Sequence, residues 1–493
     1  MEMWIVLVSA LVFLVSCLIL RNVLRKKDKY DTPPGPTPLP IVGNLMQIRY
    51  NDIVKSLMKL HKKYGSLYTV HLGPTRYMVL CGYDIMKEAL VNDADAFSGR
   101  GDYPLFYNFT KGNGITFSNG EKWKQLRRFA MSALGHFGMG KRSMEERIQE
   151  EVKHLIKFFR DTQTAPIDPE FCMSCSLANI ISSIVFGDRF DYNDKDFEEI
   201  VHCVQDCFQI MSSAWGTMYH IFPALFQYLP GPHTQAFKKL QTLKNYVSKR
   251  ASMNQNTLDP NHPRDYIDNF LIKMEQEKDN PASFFNWETL TMSTLILFFA
   301  GIESGSTTMR FGFIYLMKNP QIQGKVHEEI DRVIGQNGIP NFEHRKQMPY
   351  TQAVIHEIQR HGDVIPLSLT HALTKDTELR GYKFPKGSLF IPLLTSVHFD
   401  PTMYKEAEIF DPTHFLDENG SFFLNPAFMP FSAGKRVCLA ANLASMELFI
   451  YFATILQNFK LTPLVSPKDI DARPIAAFLS NVPPPFQFIL HPR

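Results

Sequence analysis

The stretch from Trp287 to Lys318 restricts the fold more than any other part of the chain. Its middle, Leu295-Ile-Leu-Phe-Phe-Ala-Gly301, is apolar on every side of a helix, so such a helix must be buried all round. The uncharged run from Leu290 to Ile302 is thirteen residues long and ends at Glu303, too short to span a hydrocarbon core. The helix therefore belongs at the centre of a large globular body. A chain of 493 residues, 45% hydrophobic and 20% charged, with 40 phenylalanines, can supply that body. Within the helix, Ala300-Gly301-Ile302-Glu303-Ser304 sets a small-residue gap before an acid and an alcohol. Gly and Ser are poor choices for a helix interior. The gap is either a groove, opened where a hydroxyl bonds back to an upstream carbonyl, or a plain packing defect.

A second constraint is the run Phe431-Ser-Ala-Gly-Lys-Arg-Val-Cys438. Cysteine ligates iron only as a thiolate, and a loop that uses it so must keep the sulfur ionised and sheltered. Gly434 lets the backbone turn where a side chain would collide with a flat cofactor. Arg436 offers a fixed cation for a carboxylate, and Phe431 an aromatic wall beside the sulfur. The run resembles the haem-binding loop of the cytochrome P-450 family.

The N-terminus reads as a membrane anchor over residues 3–24. Met3 to Leu20 carries no charge, and Arg21, Arg25, Lys26, Lys27 and Lys29 follow, which holds the downstream chain in the cytoplasm. A cleavable signal peptide is the rival reading, but a shorter apolar stretch and a small-residue cleavage site would be expected. Residues 30–44 form a hinge around Pro33-Pro34-Gly35-Pro36-Thr37-Pro38-Leu39-Pro40, where five prolines enforce stiff, extended backbone. The sequons Asn108-Phe-Thr110 and Asn419-Gly-Ser421 test this topology, since glycan on either would overturn it.

From residue 45 to 493 the chain reads as one domain. Tyr68–Leu72 and Tyr77–Cys81 around Gly73-Pro74 read as a hairpin. Glu145–Arg160, Phe197–Met211 and Gln321–Ile334 read as helices. Seven scattered cysteines argue against a disulfide framework. Cys172/Cys175 and Cys203/Cys207 lie in amphipathic helices and read as small core hydrophobes rather than halves of a zinc site. The near balance of 52 basic and 49 acidic residues excludes nucleic acid as a charge-selected partner.

Glu357-Ile-Gln-Arg360 places an acid and a base on one helix face. Alone such a pair carries little weight. Followed by Ile365-Pro366-Leu367, Phe410-Asp-Pro-Thr-His414 and the Cys438 loop, it resembles the cytochrome P-450 core, where acid, arginine and a third group, here His414, are structural. The resemblance now spans nearly the whole chain. Trp123-Lys-Gln-Leu-Arg127, Phe97-Ser-Gly-Arg100-Gly-Asp and Phe137-Gly-Met-Gly-Lys-Arg142 look like the second family of vertebrate microsomal enzymes. The implied fold is mainly α with small β-sheets: a single helical haem domain behind the anchor, on the endoplasmic reticulum membrane.

The resemblance implies heme b with Cys438 as its axial metal ligand. Arg100, Trp123, Arg127, His371 and Arg436 would hold the propionates, with Ala300, Phe431 and Gly434 also against the cofactor. It implies oxygen insertion into xenobiotics, fatty acids such as arachidonate, or steroids, with Ser304 and Glu303 ordering water and delivering protons. Tyr103, Phe106, Phe117, Phe208, Met211, Phe299, Ala300, Ile365, Leu369 and Phe478 would line the substrate pocket. Gly112-Asn-Gly114 lacks the third glycine of a dinucleotide fingerprint. NADPH and flavins therefore belong to a partner, NADPH–cytochrome P-450 reductase, with cytochrome b5 as a second candidate donor. Lys122, Lys124 and Arg128 offer a basic docking face or a merely solvated one. Three positions depart from the family pattern. Ser304 replaces threonine and predicts leakage to peroxide, Ala440 replaces glycine, and Thr370 precedes His371 in place of proline. Two other classes stay open: a haem-thiolate isomerase or dehydratase acting on peroxides, and a haem-binding protein without turnover. NADPH-dependent oxygen consumption with purified reductase separates all three.

Overall fold

The computed structural model describes residues 31–49, 52–138, 142–476 and 479–493, with Trp4, Ser9 and Ser16. The proposed anchor, Phe478 and the Met139–Lys141 part of the Phe137 run lie outside the described residues. Among those described, no helix is long and apolar enough to cross a membrane.

Six helices position the site: α1 (Gly120–His136), α2 (Glu170–Val185), α3 (Lys195–Met211), α4 (Trp287–Lys318), α5 (Pro349–Gly362) and α6 (Ala441–Asn458). The expected helices are present at Arg142–Asp161, Lys195–Met211 and Pro320–Val333: the first starts three residues early and ends one late, the second starts two early behind its Asp194 cap, and the third is shifted by one residue. Helix α4 runs unbroken for 32 residues. Asn286 starts it with a capping box, its side chain accepting from the Thr289 N–H at 3.0 Å. Its middle is buried as its composition demands, with Leu290, Met292, Leu295 and Phe298 at most 2% exposed.

The glycines of α4 serve a close helix crossing. A Cβ on Gly301 would come within 2.5 Å of Ile181 Cγ1, and one on Gly305 within 2.8 Å of Leu177 Cδ1. These positions face α2, so the small residues let two helices approach. Helix α2 is itself nearly all buried, as are Cys172 and Cys175 on it and Cys203 and Cys207 on α3. Burial pushes the Cys172 and Cys207 thiols up to about 12, as expected of core side chains.

Strands are few. β1 (Leu67–Leu72) and β2 (Thr75–Cys81) form the expected hairpin, and β3 (Gly99–Arg100), β4 (His371–Ala372) and β5 (Leu389–Leu393) complete a five-stranded sheet of order β1-β2-β5-β4-β3. β2 and β5 run parallel; β3 and β4 pair antiparallel with Arg100 opposite His371. The fold is mostly helical with small sheets.

Helix α5 fixes the segment that leads to the Cys438 loop. Glu357 and Arg360 are both fully buried, joined at 2.7 Å and 2.6 Å in a two-pronged ion pair. Arg360 also donates to the carbonyls of His398, Ala407 and Ile409. Glu357 accepts from the Asp411 N–H at 2.8 Å and from His414 Nδ1 at 3.2 Å. The other His414 nitrogen lies 2.5 Å from the Lys405 carbonyl. Burial opposes charging of this imidazole, but the hydrogen bond and charge of Glu357 outweigh it and raise its proton affinity. Every charge in this cluster has an answer.

Candidate active site

Cys438 follows the short 3-10 turn Gly434–Arg436, and its N–H donates to the Phe431 carbonyl at 3.0 Å. Gly434 has φ +71°, and a Cβ there would run into the carbonyl of Leu90. The neighbouring backbone by itself requires a glycine at this position. Among the described cysteines Cys438 is the one that is exposed; the other five are buried. Its opening nonetheless lies deep among protein atoms. Desolvation holds its thiol above the usual range, with the Glu447 carboxyl acting in the same sense, and a backbone N–H at Ala440 and the charge of Arg127 offset only part of the rise. That charge and N–H act in favour of the thiolate, the form that binds iron, against the larger effect of desolvation.

The sulfur feels Arg127 on one hand and the buried carboxyl of Glu447 on the other, and Arg100 and Arg436 lie close enough to Arg127 to repel it; none of the three arginines has a carboxylate salt bridge among the described residues. Arg436, 7% exposed, donates to the carbonyls of Ser98 at 2.7 Å, Thr116 at 3.3 Å and Ser118 at 2.9 Å, and its guanidinium stacks 3.8 Å above the Trp123 ring. Arg100 donates to the Leu369 carbonyl at 2.9 Å, and Arg127 to the Val437 carbonyl at 2.6 Å. Burial and mutual repulsion push Arg100 down to about 10 and Arg436 to about 8. His371, opposite Arg100 across the β3–β4 ladder, points Nδ1 at the Phe97 carbonyl, 2.6 Å away. Its Nε2 is buried with no partner among the described residues. Burial, then Arg100, depress its proton affinity to about 3, so the ring is neutral and Nε2 carries a lone pair.

Buried cations without counter-charge are costly unless an anion joins them. The donor set fits a flat, dianionic cofactor with an iron facing the sulfur: a thiol on one side, guanidiniums for two carboxylates, an aromatic ring alongside. Phe431, whose carbonyl accepts from the Cys438 N–H, is half-buried. At His371, a carboxylate would be accepted only if the ring took up a proton, because the neutral Nε2 cannot donate.

On α4, Ala300 and Ser304 share an exposed strip although their neighbours are buried. Ser304 Oγ donates back to the Ala300 carbonyl at 2.8 Å, the back-bonding expected for this hydroxyl. Glu303 lies elsewhere. Its carboxylate is 4% exposed and accepts from Ser174 Oγ on α2 at 3.2 Å. The acid and the alcohol are therefore adjacent in sequence but turned to different surroundings.

Of the expected pocket residues, four aromatics form a continuous cluster. Phe106 stacks on Phe117 at 4.8 Å and meets the edge of Phe299 at 5.6 Å, while Phe208 lies 6.3 Å from Phe299. Tyr103 joins through Phe106 at 5.9 Å. Met211 is buried at the end of α3, and Ile365 and Leu369 are half-buried before β4. Sequence reasoning missed the groups attached to these positions: Ser174, Gln205, Ser306, Arg310 and Glu170 around Glu303, and His220, which contacts Tyr103 at 4.7 Å. No local spacing signalled Ser174, Glu170, Gln205 or His220, because they lie on other helices than Glu303; Ser306 and Arg310 follow it on α4 three and seven residues on, a helical spacing that the sequence did carry. Lys122 pairs with Asn113 and Lys124 with Glu121, leaving Arg128 exposed on α1.

Comparison with known proteins bears on this geometry. The family model described as Cytochrome P450 matches residues 33–490. The chain is 52% identical over 485 residues to cytochrome P450 2F2 of Rattus norvegicus, covering 98% of this chain and 99% of that protein. It is 50% identical over 485 residues to cytochrome P450 2F1 of Homo sapiens, covering 98% and 99%, and 50% identical over 487 residues to cytochrome P450 2A13 of Homo sapiens, covering 98% and 99%.

Proposed function

Because this chain belongs to the cytochrome P450 family and is a haem monooxygenase, we propose that it inserts oxygen from O2 into small, uncharged, hydrophobic substrates by hydroxylation or epoxidation. The cofactor is haem, its iron held by a cysteine thiolate. Cys438 is that ligand in our reading, and Arg100, Arg127, Arg436, Trp123 and His371 hold the propionates. One observation carries this assignment: Arg127 acts on the Cys438 sulfur, and Arg100, Arg127 and Arg436 repel one another with carbonyl and amide partners but no carboxylate salt bridge among the described residues.

When bound, haem supplies dioxygen activation. The chain's own residues do the rest. Ser304 presents a hydroxyl oxygen on the exposed strip of α4, able to accept from water and hold it in place. Glu303 is the reservoir of protons, its carboxyl lifted by burial to about 7, where it exchanges a proton near neutral pH. The Phe106–Phe117–Phe299–Phe208 cluster excludes water and favours flat apolar groups. Foreign aromatic compounds suit it best, with arachidonate-like chains and steroids as further candidates. Electrons come from NADPH through cytochrome P-450 reductase, with cytochrome b5 as a second donor, at the endoplasmic reticulum membrane.

The test is the reduced carbon monoxide spectrum of wild type against Cys438→Ala: a thiolate-type band in the first and none in the second. Oxygen consumption that depends on NADPH and purified reductase then separates monooxygenation from peroxide isomerisation and from passive haem binding. Ser304→Thr is expected to raise product formed per NADPH, since the added methyl fixes the rotamer; an unchanged ratio refutes the role given to Ser304.

A further inference from the structure

Glu303 sits in a polar enclave built by three helices. Ser174 Oγ on α2 donates to its carboxylate at 3.2 Å. That same oxygen lies 3.1 Å from Ser306 Oγ and receives an N–H from Gln205 on α3 at 3.2 Å. Deeper along α4, Arg310 is 2% exposed and pairs with Glu170 at the start of α2, 3.0 Å away. Gln209 on α3 also reaches Glu170, at 3.4 Å. Arg310 Nε has no partner among the described residues, although the side chain is almost wholly buried. Arg310 and Glu170 are the charges coupled to the Glu303 carboxyl, and they act in opposite senses.

This arrangement is more than packing needs. An apolar residue at 303 would fill the α2–α4 crossing without a hydroxyl, an amide and an ion pair in attendance. We propose that Ser174 and Glu170 are positioning residues for proton delivery: the Ser174 hydroxyl steadies the ionised Glu303, and Glu170 opposes it by drawing off the charge of Arg310. The two set, from outside the substrate pocket, the pH at which Glu303 is ready to give its proton. Each turnover of a monooxygenase consumes two protons with the two electrons from NADPH; every proton that the carboxyl gives up is regained from solvent, so Glu303 is unchanged at the end of the cycle. The inference rests on the monooxygenase reading but is measured apart from it.

Burial raises Glu303, the Ser174 hydrogen bond and Arg310 lower it, and Glu170 raises it. The signs for the variants follow. Ser174→Ala removes a bond to the charged form and moves the Glu303 midpoint up by about one pH unit. Glu170→Gln removes a repelling charge, frees Arg310 and moves it down. Ser174→Thr keeps the hydroxyl and leaves it in place. The readout is the infrared band of a protonated carboxyl, followed against pH in resting full-length protein and assigned by its loss in Glu303→Gln. The pH midpoint of product per NADPH should shift in parallel. Opposite shifts support the proposal. Unmoved midpoints, or shifts of one sign, overturn it. Where Glu170→Gln fails to accumulate, Ser174→Ala against Ser174→Thr decides alone. Resting protein needs neither substrate nor reductase, so failure of the monooxygenase reading would appear in the carbon monoxide spectrum and not in this titration.

Discussion

Two buried arginine clusters in this protein obey opposite rules. At Glu357–Arg360, a carboxylate, three carbonyls and an imidazole answer every charge. At Arg100–Arg127–Arg436, the donors find carbonyls but no carboxylate among the described residues, and a histidine nitrogen is left over. Carbonyls satisfy N–H geometry without cancelling net charge. The first cluster is complete as folded; the second leaves its charge unanswered among the described residues, and in our proposal an anionic ligand completes it. An arginine thus reveals structure or binding by what faces it more than by its burial.

Breaking the complete cluster should have the largest effect. Arg360→Leu strands Glu357 in the interior, and the loss is expected to be about 3–5 kcal/mol. Little folded protein should be recovered, with or without added haem, as read by thermal unfolding and soluble yield. Arg100→Met sharpens the contrast. Relief of repulsion offsets its lost hydrogen bonds, so unfolding of the haem-free chain should move by less than about 1 kcal/mol, while haem retention falls by roughly 10- to 100-fold. Competition for haem with an apo-globin measures the second quantity.

His371 supplies a subtler test. Its affinity for a proton is depressed to about 3 without an anion beside it, and a propionate would raise it. Haem capture should then take up a proton and tighten as pH falls through the raised value. His371→Phe should flatten that part of the profile, followed by haem titration at several pH values.

The smallest effect belongs to His414. Its folded proton affinity is raised, so its contribution to stability is fully present below about pH 6.5 and is lost as pH rises through the folded value. His414→Asn should cost on the order of 1 kcal/mol at pH 6 and less at pH 9, by denaturant unfolding.

Legibility from the sequence tracked the range of the forces involved. The hairpin, the helix ends and the α5 acid–base pair depend on residues two to four apart, and those spacings are visible in a string of letters. The Cys438 loop was legible because its glycine, arginine and cysteine act within eight residues. Two readings needed the third dimension. Gly434 clears Leu90, more than three hundred residues back in the chain, and Glu303 turns to Ser174 rather than sharing the surroundings of Ser304.

The amino-acid order alone determined a central buried helix and a glycine–arginine–cysteine loop; the arginines assigned to two carboxylates came from the family resemblance that those motifs carry. Only the tertiary structure decided which arginines go unanswered, which face of α4 is open, and which groups hold the Glu303 proton. The reason is physical. Hydrophobic period and turn chemistry are summed along the chain, whereas desolvation and Coulomb coupling depend on distances that folding alone creates.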